Sequence, residues 1–177
     1  QTLKSPSNDN QMSTPAPLTT TSVADWIDHH AKRSPDTIAI ITPNTTLTYG
    51  ALAQRVEHGA QKLCACGVAA GDRIALIVSD ELLLLSLLLA AARLAAPVLL
   101  IQRSTTPSQR SNWMTAAGVK HWISDVVPVG SKYGPLNPID AIALMATKAG
   151  TFKCHPPADG LDPHSSIFVI VAGSGST

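Results

Sequence analysis

The sequence predicts an α/β fold in which a mostly parallel sheet lies between two layers of helices. Strand-like and helix-like segments alternate through three successive units, Ile74–Val78 is a continuous apolar run, and a strongly apolar helical segment, Glu81–Ala95, follows it. Such alternation is typical of parallel sheets covered on both faces. We expect this three-layer α/β/α core to follow a short hairpin and a flexible amino-terminal arm.

Composition indicates a globular domain without nucleic-acid or membrane partners. The 177 residues are 45% hydrophobic and 14% charged, which suits one domain with a sizeable core. The net charge is +1, and no dense cluster of lysines and arginines indicates nucleic-acid binding. The apolar run Leu82–Leu100 contains Arg93 and Pro97, so it fits a buried helix followed by a strand better than a membrane span.

The amino-terminal residues and the cysteines indicate a cytoplasmic protein. Residues 1–21 are rich in Ser, Thr, Pro and Asn and contain no apolar block, so they predict a flexible arm and not a signal peptide. The cysteines Cys64, Cys66 and Cys154 are odd in number, and the spacing of the first two is too short for the usual zinc pair. We therefore expect reduced, structural thiols.

The first half of the predicted domain begins with a helix and a hairpin. Ser22 and Asp25 are typical of a helix start, and Pro35 ends that helix. A turn then joins the strand-like runs Thr37–Thr42 and Thr45–Tyr49. The patterns next predict a helix from Gly50 closed by Gly67, the strand Ile74–Val78, the helix Glu81–Ala95 and the strand Pro97–Ile101.

The second half contains one more clear helix and strand. Thr106-Pro107-Ser108-Gln109 has the hydroxyl, proline and glutamine of a capped helix start, and this helix is expected to end at Gly118 before the strand His121–Ser124. Prolines and glycines are frequent between Asp125 and Pro163, which we interpret as a long surface excursion. Within it we expect one helix, Pro138–Lys148, capped by Asn137.

The last stretch of the sequence is the candidate functional site. An apolar, β-branched run, Ile167–Val171, leads into glycines and hydroxyls, as a buried strand leads into a phosphate-binding loop. The candidate ligand-binding residues are Ser174, Gly175, Ser176 and Thr177. A flexible Gly-Ser linker is the alternative interpretation. No lysine completes a Walker loop, and the third glycine of a dinucleotide motif would be residue 178.

Several landmarks, in this order, resemble the amino-terminal part of the adenylate-forming superfamily. That superfamily comprises acyl- and aryl-CoA ligases, adenylation domains of nonribosomal peptide synthetases, and luciferases. The resemblance extends from Val23 to Thr177 and is looser over Ala91–Ile101, where Ala95-Ala96 replaces Ala-Gly and no Pro-Leu follows Val98-Leu99. The matching segments are Ser34-Pro35-Asp36-Thr37-Ile38-Ala39, Leu47-Thr48-Tyr49-Gly50-Ala51-Leu52, Gly67-Val68 with Gly71-Asp72-Arg73-Ile74-Ala75, and Ser174-Gly175-Ser176-Thr177.

The resemblance implies a parent enzyme that activates a carboxylic acid with ATP and Mg²⁺ and passes it to the thiol of CoA or a carrier protein. It implies that Ser174–Thr177 contact the β- and γ-phosphates of ATP. Residues 22–177 would be an amino-terminal subdomain, truncated within the phosphate loop, on which the remainder of the adenylation domain packs. The acyl pocket, magnesium ligand and mobile lysine of the family would lie beyond residue 177, so no catalytic or metal-binding residue is assigned here and the chain alone is expected to be inactive.

Two other functions remain open on the sequence. A dinucleotide-binding oxidoreductase segment also uses a strand, a glycine turn and a helix start, but it normally places that turn after its first strand. A non-catalytic α/β interaction module would use the Gly-Ser tail only as a linker.

Overall fold

The computed structural model describes residues 23–125, 136, 138–146 and 169–171, and the side chains of all of these except 23, 24 and 169–171. Twelve elements follow one another in this part of the chain. They are α1 (Val23–Arg33), β1 (Ile38–Ile41), β2 (Thr46–Thr48), α2 (Tyr49–Ala65), β3 (Ile74–Ile77), α3 (Glu81–Arg93), β4 (Val98–Leu100), α4 (Pro107–Ala116), β5 (His121–Ser124), β6 (Pro138–Asp140), α5 (Ala141–Ala146) and β7 (Val169–Val171).

The centre of the fold is a five-stranded sheet in the order β6-β5-β3-β4-β7. Every neighbouring pair is parallel. Every residue of β3 is buried, because this central strand has a strand on each side and helices on both faces. The continuous apolar run of β3 therefore reflects burial on both faces, as the sequence predicts.

The helices lie on both faces of the sheet, which confirms the three-layer prediction. Side chains of β3 alternate between the faces: Ile74 and Leu76 pack with α2, α3 and α5, whereas Ala75 and Ile77 pack with α4. The chain moves from β3 to β4 in one direction across the sheet and from β4 to β5 in the other. Right-handed crossovers in opposite directions place α3 and α4 on opposite faces.

The amino-terminal helix and hairpin pack outside this core. Strands β1 and β2 pair antiparallel, as the sequence predicts, and Ile27 of α1 is buried against α2 and α3. Arg93, in the last turn of α3, forms ion pairs with Asp28 of α1 and Glu57 of α2. Three helices are thus joined by one guanidinium at the rim of their apolar contact.

Several helix ends use the side chains that the sequence indicates. Thr106 and Gln109 form a reciprocal capping box at the start of α4. Gly67 and Gly118 follow α2 and α4 with φ values of +88° and +63°, a backbone conformation that glycine adopts without a steric penalty. Thr48 and Asp80 cap α2 and α3 by accepting hydrogen bonds from the amides of Ala51 and Leu83, without a reciprocal side-chain bond.

The expected helix Pro138–Lys148 is wrong at its start. Pro138–Asp140 instead forms β6, which pairs with β5, and the helix begins only at Ala141. Asp140 accepts hydrogen bonds from the amides of Ile142 and Ala143 and so caps the helix for which the sequence predicts Asn137 as the cap. This part of the expected surface excursion is therefore built into the core, where Ala141 and Leu144 are buried.

Two further expectations fall outside the described residues: the arm at residues 1–21 and the loop Ser174–Thr177. Within the part of the chain that the structure describes, no helix is both long enough and apolar enough to cross a bilayer. Cys64 and Cys66 are free thiols, and burial raises the pKa of Cys66.

Candidate functional site

The carboxyl edge of the sheet, where its parallel strands end, gathers polar residues from successive loops. Ser79 follows β3, Arg103 follows β4 and Asp125 follows β5. Helices α3 and α4 begin at this edge, so their positively polarised amino ends also point toward it. In open parallel sheets this edge is the usual place for a ligand.

A short hydrogen-bonded chain joins these three loops. The Ser79 amide donates to Asp125 Oδ2 at 2.7 Å, and Arg103 Nη1 donates to Ser79 Oγ at 3.2 Å. Arg110 of α4 in turn donates to the carbonyl oxygen of Arg103. The loop after β4 is therefore held both to the loop after β3 and to the first turns of α4.

The predicted site residues Ser174, Gly175, Ser176 and Thr177 lie outside the described residues, but the strand that precedes them does not. Strand β7 pairs in parallel with β4, with Leu100 opposite Val171. The chain therefore leaves β7 at the carboxyl edge, on the side of β4. The position and direction of β7 agree with a strand that leads into a ligand-binding loop. The role of that loop is a proposal.

Sequence reasoning missed Ser79, Arg103 and Asp125 as site candidates. None of them belongs to a local motif, and their only shared signal is that each follows a strand of a predicted parallel sheet. Among the described residues, Asp125 Oδ1 is buried and has no hydrogen-bond partner, whereas its Oδ2 accepts from Ser79. Such an unpaired acceptor is costly in a protein interior and is often found at functional sites.

A groove of about 660 Å³ lies elsewhere, between α1, α2 and the end of α3. Its lining includes the ion pairs of Arg93 with Asp28 and Glu57. Burial alone would lower the pKa of Arg93, but hydrogen bonds to Glu57 and Asp28, and their charges, hold it above its ordinary value. Because these charges satisfy one another, we locate the candidate site at the carboxyl edge and not in this groove.

Comparison with known proteins assigns the chain to a family. The model of the family described as "AMP-binding enzyme" matches residues 27–169. The chain belongs to the AMP-binding enzyme family. It is 31% identical over 160 residues to malformin synthetase mlfA of Aspergillus sclerotiicarbonarius. It is 26% identical over 158 residues to the hybrid PKS-NRPS synthetase TAS1 of Cordyceps militaris.

The chain spans a small part of these relatives: the matches cover 88% of this chain but 3% and 10% of the two proteins. Solved structures of adenylate-forming enzymes share its fold. The Klebsiella oxytoca NpsA N-terminal subdomain matches with a TM-score of 0.66 and 23% identity, over 77% of this chain and 35% of that one. Bacillus subtilis O-succinylbenzoate CoA synthetase (MenE), in complex with ATP and magnesium ion, matches with a TM-score of 0.65 and 21% identity, over 71% and 34%.

These comparisons favour one of the interpretations that the sequence left open. They support the adenylate-forming family and give no support to a dinucleotide-binding oxidoreductase segment or a non-catalytic interaction module. The resemblance found in the landmark segments is thereby confirmed at the level of the family.

Proposed function

We propose that the chain is part of an enzyme that activates a carboxylic acid by forming an acyl-adenylate from ATP. Residues 22–177 would form its amino-terminal subdomain, on which the remainder of the adenylation domain packs. The observation that carries the proposal is the parallel pairing of β7 with β4, which ends β7 at the carboxyl edge of an AMP-binding family sheet, three residues before Ser174 in the sequence. The family match and the MenE complex with ATP and magnesium ion support ATP and Mg²⁺ as the cofactors.

The residues of the carboxyl edge suit a polyphosphate. Arg103 supplies a cation, and α4, which has no acidic residue in its first turn, adds partial positive charge at its amino end, whereas Asp80 and Glu81 offset that of α3. Backbone amides of a Gly-Ser loop and the hydroxyls of Ser174, Ser176 and Thr177 would add donors. We assign no metal ligand to this chain, so the roles proposed for its residues do not include binding Mg²⁺.

In the proposed reaction a carboxylate oxygen of the substrate attacks the α-phosphorus of ATP. A new bond joins that oxygen to phosphorus, the bond from the α-phosphorus to the bridging oxygen breaks, and pyrophosphate leaves with the electron pair. Charge accumulates on the leaving phosphates, and fixed donors beside them stabilise it without reorganising. This task needs no general acid, base or nucleophile from residues 1–177.

The acyl group would then pass to a thiol, either of CoA or of a carrier protein. We propose a cytoplasmic location, since ATP and these thiol acceptors are cytoplasmic. A polypeptide of these 177 residues should not activate an acid alone, because it spans only about a third of the solved relatives that share its fold.

The loop assignment is tested with two substitutions in the full-length protein. Gly175→Val places a side chain where the backbone must approach the phosphates, and Thr177→Ala removes one hydroxyl donor. The loss of a donor to a charged group costs about 1–3 kcal/mol, which is roughly a five- to hundredfold rise in the KM for ATP. Gly175→Val should be the more harmful change.

The assay is carboxylate-dependent exchange of labelled pyrophosphate into ATP, at saturating carboxylate and varied ATP. The KM for the carboxylate serves as the control, because both substitutions lie on the phosphate side of the reaction. If both variants keep the ATP dependence of the wild type, the Gly-Ser segment is a linker and the loop assignment is wrong.

A further inference from the structure

Arg103 is a cation at the carboxyl edge whose described contacts leave most of its donors unused. Its side chain is exposed, and Nη1 donates to the neutral hydroxyl of Ser79 at 3.2 Å. A guanidinium carries five N–H donors in a planar fork. Among the residues that the structure describes, no carboxylate forms an ion pair with it.

The position of Arg103 relates it to the end of the chain. Leu100 lies opposite Val171 in the parallel pair of β4 and β7. Arg103 is three residues beyond Leu100 in the sequence, and Ser174 is three residues beyond Val171. Strands β4 and β7 thus end side by side at the edge where Arg103 lies, and the hydroxyl-rich segment follows β7 in the sequence.

Both the backbone and the side chain of Arg103 form hydrogen bonds with neighbouring residues. Its carbonyl oxygen accepts from Arg110, and its side chain is fixed through Ser79, whose amide is bound to Asp125. A guanidinium restrained in this way loses less conformational entropy when it binds an oxyanion. Arg103 also lies just beyond the stretch in which the sequence departs from the family pattern, so the shared motifs do not include it.

We propose that Arg103 is a phosphate-binding residue that contacts the β- or γ-phosphate of ATP, with Ser79 and Asp125 as the residues that position it. The proposal rests on the function proposed above. Arginine pairs with phosphate through two parallel N–H···O hydrogen bonds, which suits a guanidinium with several unused donors. Arg103 would thereby supplement the neutral donors of the Gly-Ser loop with a full positive charge.

The opposing explanation is that Arg103 only holds the loop after β4 to Ser79. The two roles differ in what they change. A structural contact affects the thermal unfolding midpoint and all kinetic constants together, whereas a phosphate contact raises the KM for ATP and makes it depend on salt, since exposed charges are screened.

The test uses the full-length protein in the pyrophosphate exchange assay, with the variants Arg103→Ala, Arg103→Lys and Ser79→Ala. Arg33→Ala is the matched control, because Arg33 is an exposed arginine at the end of α1, outside the sheet. We expect Arg103→Ala to raise the KM for ATP roughly three- to tenfold, at or below the lower end of the range for a charged hydrogen bond, because water screens this side chain. Arg103→Lys should lie between the alanine variant and the wild type.

The control readouts separate the explanations. Arg103→Ala should leave the KM for the carboxylate and the unfolding midpoint unchanged. Ser79→Ala should raise the KM for ATP by less, because it keeps the cation. Arg33→Ala should not change the KM for ATP. An ATP KM of Arg103→Ala within about twofold of wild type overturns the inference alone. If Arg103→Ala does not fold, Arg103→Lys with an unchanged ATP KM and salt dependence overturns it equally. A wild-type protein without exchange activity overturns the proposed function and the inference together.

Discussion

Ala95 occupies a backbone conformation that normally belongs to glycine. Its φ is +52°, and it is the only described residue other than glycine with a positive φ. It follows the last residues of α3, where the Ala96 amide donates to the Ala91 carbonyl oxygen at 2.9 Å, as in a Schellman motif. The Cβ of Ala95 therefore costs free energy that glycine would not.

We predict that Ala95→Gly stabilises the chain. The left-handed conformation costs an L-residue about 1–2 kcal/mol, partly offset by the greater freedom of glycine in the unfolded chain, so a net gain of about 0.5–1 kcal/mol is expected. Urea unfolding measures it. Ala92→Gly, within α3, is the matched control and should lose about 1 kcal/mol. Equal effects of both substitutions would contradict the strain at Ala95.

Asp72 is a nearly buried carboxylate at the opposite, amino edge of the sheet. It accepts from the Ala69 amide at 3.0 Å and from Lys120 Nζ, and His121 Nε2 lies 3.8 Å from its Oδ2. Burial raises the pKa of Asp72, but the hydrogen bonds from Lys120 and Ala69, and the positive charges, lower it by more. The net pKa therefore lies below the ordinary value for aspartate.

We predict that Asp72 makes the stability of the chain depend on acidity. Since its pKa is lower in the folded state, it stabilises the fold above the unfolded value of about 3.9, and this contribution disappears as the pH falls through the folded-state pKa. At pH 7, Asp72→Ala should lower the free energy of unfolding by about 1–3 kcal/mol. The difference from wild type should shrink between about pH 4 and pH 2.

Unfolding titrations over that range measure the effect of Asp72. The exposed residue Asp36, in the turn after α1, provides the control substitution Asp36→Ala. A wild-type-minus-variant difference that stays constant down to pH 2, or an equal effect of Asp36→Ala, would show that Asp72 does not act through its charge.

At the scale of elements, α3 is a helix buried along almost its whole length. No residue from Leu82 to Ala92 is exposed. One face of α3 packs with the sheet and α2, and Leu85 and Leu89 belong to the apolar cluster that includes Ile27 of α1. The sequence predicts this burial from a helix that is apolar all round. It does not predict which leucines are fully enclosed, because a helix without a polar face has no periodicity that orients it.

The structure supplies that orientation and so identifies the leucine to test. Leu87 is 0% exposed, whereas Leu84 and Leu88 are only partly buried. We predict that Leu87→Ala costs about 2–5 kcal/mol, since it removes buried methyl groups and leaves a cavity. Leu84→Ala, the control on the same helix, should cost clearly less. Equal shifts of the two urea midpoints would argue against this orientation of α3.

Other elements show where sequence patterns suffice and where they fail. Strand β5, His121–Ser124, has the bounds that the sequence predicts, and the start of α4 is fixed by its own capping box. Strand β6 is different, because Pro138-Ile139-Asp140 becomes a strand only through its pairing with Trp122, Ile123 and Ser124. That partner is distant in the sequence, and no local signal specifies it.

At the scale of the whole molecule, the sheet order creates the candidate site. The loops after β3, β4 and β5 meet at one edge because these strands are parallel neighbours, and β7 ends at the same edge beside β4. The apolar run Ile167–Val171 predicts a strand where β7 is found, whereas the role of Ser174–Thr177 stays a prediction. Ser79, Arg103 and Asp125 required the strand order, which follows from the packing of the whole sheet and not from any segment of it.

The products formed from ATP test the central claim most directly. The full-length protein is incubated with ATP, Mg²⁺ and a panel of carboxylic acids, with hydroxylamine added to trap an activated acyl group, and the products are identified by mass spectrometry. We predict AMP, pyrophosphate and the acyl hydroxamate in equal amounts, formed only when a suitable acid is present. Release of ADP and phosphate instead, or ATP cleavage that no acid stimulates, would contradict the account.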